Sequence, residues 1–286
     1  MNIGIIDDYL DNWHTNHYPS YIRLASDLYD IPAKVSYAYA WRDHPDTSQL
    51  TTEQWCKTQD ITLCSSYEEL IEKSDALMVM CADNCLPHEK LAEKALRSGK
   101  PVFCDKTFAP SYEAAIRMFT LAEEHNTPVF SCSAQRFCME LLCFKTQVQE
   151  FAQYCASEGP GDMVNYSVHQ FEMLETLMGT GARRCMAHLV DGNRQLVYEY
   201  EDGRVCHFTL IEPYRFSLCA MDKNQKLYPI AVTDYYLNFM LKLLQFFNGG
   251  ALPVKKEDTL EIMAMQQAGR EALLKPGCFV RLPLPC

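Results

Sequence analysis

The sequence predicts an α/β protein built from two domains, and three observations support this. Between residues 75 and 130, short apolar runs alternate with amphipathic helical stretches, which is typical of a parallel sheet covered on both faces. After residue 131 the alternation ends, and half-exposed strands and a hairpin turn indicate a mixed sheet with helices on one face. A length of 286 residues suits two hydrophobic cores. We therefore expect domains over 1–131 and 132–286.

The first domain is predicted to contain six strands joined by helices. Ser66 and Glu69 have the spacing of a capping box at a helix start, and Gly99 and Ser111 mark a helix end and a helix start. Residues 41–57 have no regular pattern. The predicted strands are 2–6, 34–40, 62–64, 76–81, 101–104 and one beginning at 129, and the predicted helices are 18–28, 66–73, 87–98 and one beginning at 111.

The second domain is predicted to combine helices with an antiparallel hairpin. A helix starting at Asp162 or Asn165 would place Asn165, His169 and Glu172 on one face, because they are spaced by four and three residues. The other predicted elements are helices 139–147, 235–247 and 259–274, and strands 150–157, 194–200, 204–210, 216–221 and 278–282.

Composition excludes some classes of partner. The net charge is −11 and no Lys/Arg cluster is longer than two residues, which argues against nucleic acid and anionic membranes. No apolar segment has a membrane-spanning length, and the N-terminus enters a strand directly, so we expect a cytoplasmic protein. The 14 cysteines lack paired CxxC spacing. We expect them to be reduced core residues and expect no metal site, although Cys81, Cys85 and His88 could be drawn as one.

Two polar clusters follow the central predicted strands. One is Asp83-Asn84-Cys85 with His88, and the other is Asp105-Lys106-Thr107. Ligands of parallel sheets lie beyond the carboxyl ends of the strands. Lys106 is therefore a better candidate for ligand contact than an ordinary surface lysine.

The first turn departs from a dinucleotide-binding turn. Such a turn carries G-x-G-x-x-G, since glycine lets the backbone approach the pyrophosphate. Here the three positions hold Asp7, Tyr9 and Asn12. A carboxylate about 5 Å from a phosphate would cost roughly 3 kcal/mol. At the end of the second strand, Arg42 suits either a ribose hydroxyl or a 2′-phosphate.

Several motifs in order resemble the glucose–fructose oxidoreductase, inositol dehydrogenase and MocA family. The run GKPVFCDKTFAPSYEAA is similar to the family's G-K-x-V-x-x-E-K-P segment, and His88 stands eleven residues before Gly99, where the family has a histidine. Arg136-Phe137 resembles its R-F pair, and NYSVHQFEML resembles its D-x-x-x-H-x-x-D helix. The last two predicted helices also match, so the resemblance covers nearly the whole chain.

The resemblance implies a Rossmann-like dinucleotide-binding domain and an α+β substrate-binding domain whose open mixed sheet forms homo-oligomer contacts. It implies oxidation or reduction of a sugar or cyclitol with NAD or NADP. Carried over by position, Lys106, His169 and Asn165 are the expected catalytic residues. The residues expected at the cofactor are Asp7, Tyr9, Asn12, Arg42, Asp83, Asn84, His88 and Asp105. Those expected at the substrate are Arg136, Tyr166 and Glu172.

The departures from the family leave two functions open. Asn165 replaces an acid, and all three turn glycines are absent. One function is NAD(P)-dependent oxidoreduction, favoured because Lys106 and His169 are retained. The other is a relative without nucleotide, which binds a small molecule in a regulatory role or performs cofactor-free acid–base chemistry. His14 and His17 could line the altered turn, but a capping or solvent position is the preferred interpretation.

Overall fold

The computed structural model describes residues 1–43, 50–190 and 193–284. The chain divides into two compact units. The first contains residues 1–132 and 239–255, and the second contains residues 133–238 and 256–286. The predicted division at residue 131 did not include this return of 239–255 to the first unit.

The first unit contains a six-stranded parallel sheet in the order β3-β2-β1-β4-β5-β6. Every residue of β4, β5 and β6 is buried, as expected for a sheet covered on both faces. This α/β architecture was predicted and is confirmed. The strands are β1 (Asn2–Asp7), β2 (Lys34–Ala40), β3 (Thr62–Leu63), β4 (Ala76–Val79), β5 (Val102–Cys104) and β6 (Val129–Ser131).

Side-chain caps begin four of the helices in this unit. Asn12 and Thr51 each form a complete capping box, and Ser66 and Ser111 each accept one backbone N–H of the first turn. The predicted box at Ser66 is incomplete, because the Glu69 carboxylate bonds to Ser65 instead. The helices are α1 (Trp13–Tyr29), α2 (Thr52–Gln59), α3 (Tyr67–Lys73), α4 (His88–Leu96) and α5 (Tyr112–Glu124).

The second unit contains a seven-stranded mixed sheet in the order β12-β11-β7-β10-β9-β8-β13. The pair β7–β10 is parallel and the remaining pairs are antiparallel, so the predicted mixed sheet is confirmed. The strands are β7 (Tyr154–Pro160), β8 (Ala182–Val190), β9 (Asn193–Tyr200), β10 (Val205–Ile211), β11 (Ser217–Met221), β12 (Leu227–Ile230) and β13 (Phe279–Arg281).

Helices pack on the apolar face of this sheet. Helix α7 contacts β7 and β10, and α9 contacts β8, β9 and β13. A short 3₁₀ helix (Ala134–Phe137) precedes α6 and packs against α7. The helices are α6 (Met139–Val148), α7 (Ser167–Met178), α8 (Tyr235–Phe247) and α9 (Lys256–Leu274), and the end of α8 belongs to the first unit.

Four features differ from the sequence prediction. Strands β8 and β12 and helix α2 were not predicted. Asn165 lies in a turn before α7, so it does not share a helical face with His169 and Glu172 as predicted. The physical reason is that Asp162 accepts the N–H groups of Val164 and Asn165, which holds this stretch as a turn. Among the described helices, none is long and apolar enough to cross a membrane.

Candidate functional site

The carboxyl ends of β1, β4 and β5 bring the predicted cofactor residues to one edge of the first sheet. Asp7 ends β1, Asp83 and Asn84 follow β4, and Asp105 follows β5 directly. Tyr9 donates a hydrogen bond to Asp83 across the edge, at 2.8 Å. The clustering of polar groups at this edge follows from the parallel topology.

Asn12 fills the position at which a dinucleotide-binding turn would receive phosphate. Its side-chain oxygen accepts the N–H groups of His14 and Thr15, at 3.1 and 3.2 Å. Its amide donates to the Asp7 carboxylate at 2.9 Å and to the Tyr9 carbonyl at 3.0 Å. Two of the backbone donors at the start of α1 that could bind an anion are therefore already satisfied from within the chain.

The two aspartates of this turn are also engaged. Asp7 is 1% exposed, and burial raises its pKa to about 7 despite the hydrogen bond from Asn12. Asp8 is held by Arg42, whose Nε donates at 2.8 Å and whose terminal nitrogen forms a second bond. Arg42 also lies over the Tyr9 ring, 5.8 Å from its centroid. These contacts connect the β1 end to the residues that follow β2.

This turn does not fit the pyrophosphate of a dinucleotide. The cavity that Asp7, Asp8, Tyr9 and Asn12 line is about 70 Å³, whereas ligand pockets usually have about 300–1,000 Å³. The acidic side chains of Asp7 and Asp8 line this cavity, whereas a pyrophosphate would need cations or N–H donors. Arg42 also lines the cavity, but it is already paired with Asp8. The predicted cofactor contacts of these residues remain predictions.

Lys106 lies at the same edge, directly after β5 and Asp105. It is 5% exposed, and its Nζ donates to the Ala82 carbonyl beyond β4, at 2.8 Å. Its backbone N–H donates to Asp105 Oδ1, at 2.8 Å. The motif lysine is therefore held between two strand ends, where a ligand of this sheet would bind.

His14 lies beside Asp105 and Lys106 at this edge, and it was not assigned to the site from the sequence. Its Nδ1 forms a short contact with Asp105 Oδ2. Burial alone would raise the pKa of Asp105, but the adjacent His14 and Lys106 outweigh it, so the pKa is lowered. The available signal was Asn12, a strong N-cap residue that places His14 in the first turn of α1.

His88 lies in the protein interior, where backbone carbonyls contact its ring. It is fully buried, with Nδ1 2.7 Å from the Thr107 carbonyl and Nε2 against the Met80 carbonyl. Burial lowers its pKa, although Asp105 and the carbonyls act in the opposite direction. Both ring nitrogens are therefore occupied by the backbone, and the residue holds the loop that carries Lys106. This placement argues against the direct cofactor contact predicted for it.

In the second unit, His169 is partly exposed near the start of α7. Its Nδ1 lies 2.7 Å from the Ser133 hydroxyl, and the rings of Tyr166 and Phe216 approach it edge-on. Asn165 is partly exposed in the preceding turn. Tyr166 lies beside His169. Its substrate contact and the catalytic roles of His169 and Asn165 stay predictions.

Arg136 and Glu172 lie in a buried ion cluster rather than on an open surface. Arg136 pairs with Glu172 at 2.8 Å, with Glu175, and with Asp258 at 3.2 Å. Burial raises the pKa of Glu172 to about 7, although Arg136 lowers it. Arg136 and Glu172 are 8% and 2% exposed. Their substrate contact stays a prediction, and this environment favours a structural role.

No group of three or more metal-ligand side chains occurs among the residues that the structure describes. Lys106 belongs to the first unit and His169 to the second. Their convergence on one pocket stays a prediction.

Comparison with known proteins adds a family match. Residues 38–132 match the model of an oxidoreductase family with an NAD-binding Rossmann fold, that of glucose–fructose oxidoreductase, inositol dehydrogenase and MocA. The predicted family resemblance is confirmed. The match includes Lys106 and begins beyond the altered β1–α1 turn. No curated protein matches the sequence.

Solved structures share the fold over nearly the full length. A myo-inositol dehydrogenase from Lactobacillus casei, solved with NAD(H) and myo-inositol, has a TM-score of 0.81 at 10% identity, covering 100% of this chain and 97% of that one. A probable dehydrogenase from Thermotoga maritima has a TM-score of 0.79 at 16% identity, covering 98% of each chain. At these identities the likeness shows the fold alone.

Proposed function

We propose that this chain binds a sugar- or cyclitol-like small molecule and performs acid–base chemistry at one of its hydroxyl or keto groups, without a bound dinucleotide. The observation that carries the proposal is the β1–α1 turn. Asn12 accepts two of the N–H groups at the start of α1, and the acidic side chains of Asp7 and Asp8 line the turn. The substrate class rests on the family resemblance and on the inositol dehydrogenases that share the fold.

One acid–base group in each unit supports this chemistry. Lys106 is an ammonium group in a buried position, where it can stabilise negative charge that develops on a substrate oxygen. A partly exposed histidine such as His169 can exchange a proton near neutral pH, and the Ser133 hydroxyl fixes its ring. Asn165 would then contact a substrate hydroxyl as a neutral hydrogen-bonding group.

NAD(P)-dependent oxidation of the same class of substrate is the second candidate. It is favoured by the family match over 38–132 and by the fold shared with dehydrogenases. NAD or NADP would supply hydride chemistry, and Arg42 after β2 with Asp83 and Asn84 after β4 are the groups that would hold it. The β1–α1 turn, which lacks the fingerprint glycines, is the observation against NAD(P)-dependent oxidation.

Titration calorimetry of the purified protein with NAD⁺, NADH, NADP⁺ and NADPH separates the two candidates. We expect no binding heat with any of them at millimolar concentration. The reason is that the turn presents acidic side chains to the phosphates of a dinucleotide rather than N–H donors. Fluorescence of NADH and NADPH in the same solutions gives an independent readout. A saturable isotherm below millimolar for any one nucleotide would overturn the proposal and establish the second candidate.

A further inference from the structure

A histidine from α1 and a carboxylate from the end of β5 form a close pair at the edge of the first sheet. His14 lies in the first turn of α1, and Asp105 immediately follows β5. Nδ1 of His14 contacts Oδ2 of Asp105. The two residues are 91 positions apart, so the fold and not local sequence brings them together.

Asp105 is held so that it orients the histidine. It is 1% exposed, and its second oxygen accepts the backbone N–H of Lys106 at 2.8 Å. The contacts with His14 and with Lys106 lower its pKa despite burial, so the group is a carboxylate at neutral pH. A carboxylate accepts hydrogen bonds only, so it fixes the proton of a neutral imidazole on Nδ1. The lone pair of Nε2 is then available.

Two aromatic neighbours hold the His14 ring in place. The His14 ring stacks on Tyr18 with centroids 4.9 Å apart and an interplanar angle of 20°, and Trp13 packs edge-on at 5.4 Å. Within the described parts of the chain, Nε2 makes no hydrogen bond. The side chain keeps 13% of its surface accessible. A positioned imidazole with a free lone pair and partial access is equipped to exchange protons with a ligand.

We propose that His14, oriented by Asp105, is a catalytic acid–base residue of this protein, and that its substrate is a ketose or ketocyclitol; this rests on the proposed function. Nε2 takes a proton from the carbon beside the keto group. The C–H electron pair forms the C=C bond, and the carbonyl π pair moves onto oxygen as an enolate. The Lys106 ammonium stabilises that charge, and the imidazolium returns a proton to carbon. No oxidant or reductant is needed.

Proton exchange in D₂O tests this step directly. The intact protein is incubated with D-fructose or a ketocyclitol, and loss of the ¹H signal beside the keto group is followed by NMR. His14→Asn retains an amide nitrogen near the position of Nδ1, for the contact with Asp105, but removes Nε2. We expect it to lower the exchange rate about 100-fold or more. Calorimetry should give the same ketone affinity as for the wild type.

His17→Asn is the matched control, because His17 lies on the same helix, stacks on Trp13 and has Nδ1 2.6 Å from the Trp13 carbonyl. It should exchange at the wild-type rate. Thermal melting checks that His14→Asn is folded, and if it is not, His14→Gln replaces it. Wild-type rates in the folded His14 variant would overturn the role of His14 while leaving the proposed function intact. Absence of exchange in the wild type with both ketones would overturn this inference, while the nucleotide titration independently tests the proposed function.

Discussion

At the scale of residues, Arg136 illustrates how a motif can be found while its environment is not. The sequence identified the R-F pair and placed Glu172 on α7, but it could not show that Glu175 and Asp258 share the same guanidinium. Asp258 is 122 positions away from Arg136. Burial raises the pKa of Glu172, the paired Arg136 acts against it, and the neighbouring Glu175 carboxylate raises the pKa further.

Glu172→Gln is expected to change how stability depends on pH. Burial raises the pKa of Glu172 from 4.5 to about 7, so the folded chain binds more protons than the unfolded chain between these values. The free energy of unfolding therefore falls as pH rises through this window. Glutamine cannot ionise and keeps an oxygen for Arg136, so the variant should show a shallower fall. Urea unfolding at pH 5, 6, 7 and 8 measures it.

Glu257→Gln is the control for this series, because Glu257 is exposed in the first turn of α9. Its pH dependence should follow that of the wild type. A Glu172 variant whose slope equals the wild-type slope would contradict the assigned ionisation.

His14 shows the limit of residue-level reasoning from sequence. Its neighbour Asn12 is a good N-cap, but the sequence predicted that this helix begins only at residue 18. The structure begins α1 at Trp13. Lys106, in contrast, was predictable from its position after a buried strand. The contact between His14 and Asp105 was not, because it depends on how α1 packs at the sheet edge.

At the scale of elements, period and capping signals predicted most of the first unit. Strand β2 matches its predicted bounds, and α5 begins after its predicted cap Ser111. The elements that were not predicted from the sequence have physical reasons for their weak signals. Helix α2 is short and has few buried residues, so its apolar pattern is weak. Strand β8 begins with Ala-Arg-Arg and lacks clear alternation. Its pairing with β9 and β13 stabilises it, and pairing across the sheet is not visible in one sequence.

The start of α1 depends on Asn12 more than an ordinary N-cap would. Asn12→Ala removes the cap of His14 and Thr15 and leaves the buried Asp7 carboxylate without its amide partner. A lost cap costs about 1 kcal/mol and an unsatisfied buried acceptor about 1–3 kcal/mol. We therefore expect a loss of about 2–4 kcal/mol in the free energy of unfolding, measured by urea titration.

Ser111→Ala is the matched comparison, since Ser111 caps α5 through a single bond to the Ala114 N–H. It should cost about 1 kcal/mol. Equal losses in the two variants would show that the bond between Asn12 and Asp7 contributes nothing, and would weaken the structural reason given for the closed turn.

At the scale of the whole molecule, the chain has the fold that its sequence predicts, but its β1–α1 turn lacks the glycines of a dinucleotide-binding turn. The α/β architecture follows from strand and helix periodicity over long segments, which is the most reliable signal in a sequence. Which ligand the turn can bind depends on a few side chains, such as Asn12 and Arg42. Their hydrogen-bond partners become known only when the tertiary structure shows how the strands are arranged. Assembly through the open mixed sheet stays a prediction, and sedimentation measurements can test it.

The first unit should need residues 239–255 for stability. Phe239 and Phe246 are buried, and Phe239 packs on Phe103 with ring centroids 5.3 Å apart. Phe246 meets Phe130 edge-on at 5.0 Å. Losing one buried phenylalanine costs about 3–5 kcal/mol, and whole domains are stable by only about 5–15 kcal/mol. We therefore expect the fragment 1–132 to be unfolded when expressed alone.

A second fragment makes this expectation testable in both directions. Residues 239–255 joined to 1–132 by a flexible Gly/Ser linker should restore a dispersed ¹H–¹⁵N spectrum and a cooperative urea transition. The same fusion carrying Phe239→Asp should remain unfolded, because a carboxylate would replace a ring that is 0% exposed. If 1–132 alone unfolds as cooperatively as the fusion, the returning segment is an addition to a complete core, and the simple division at residue 131 is sufficient.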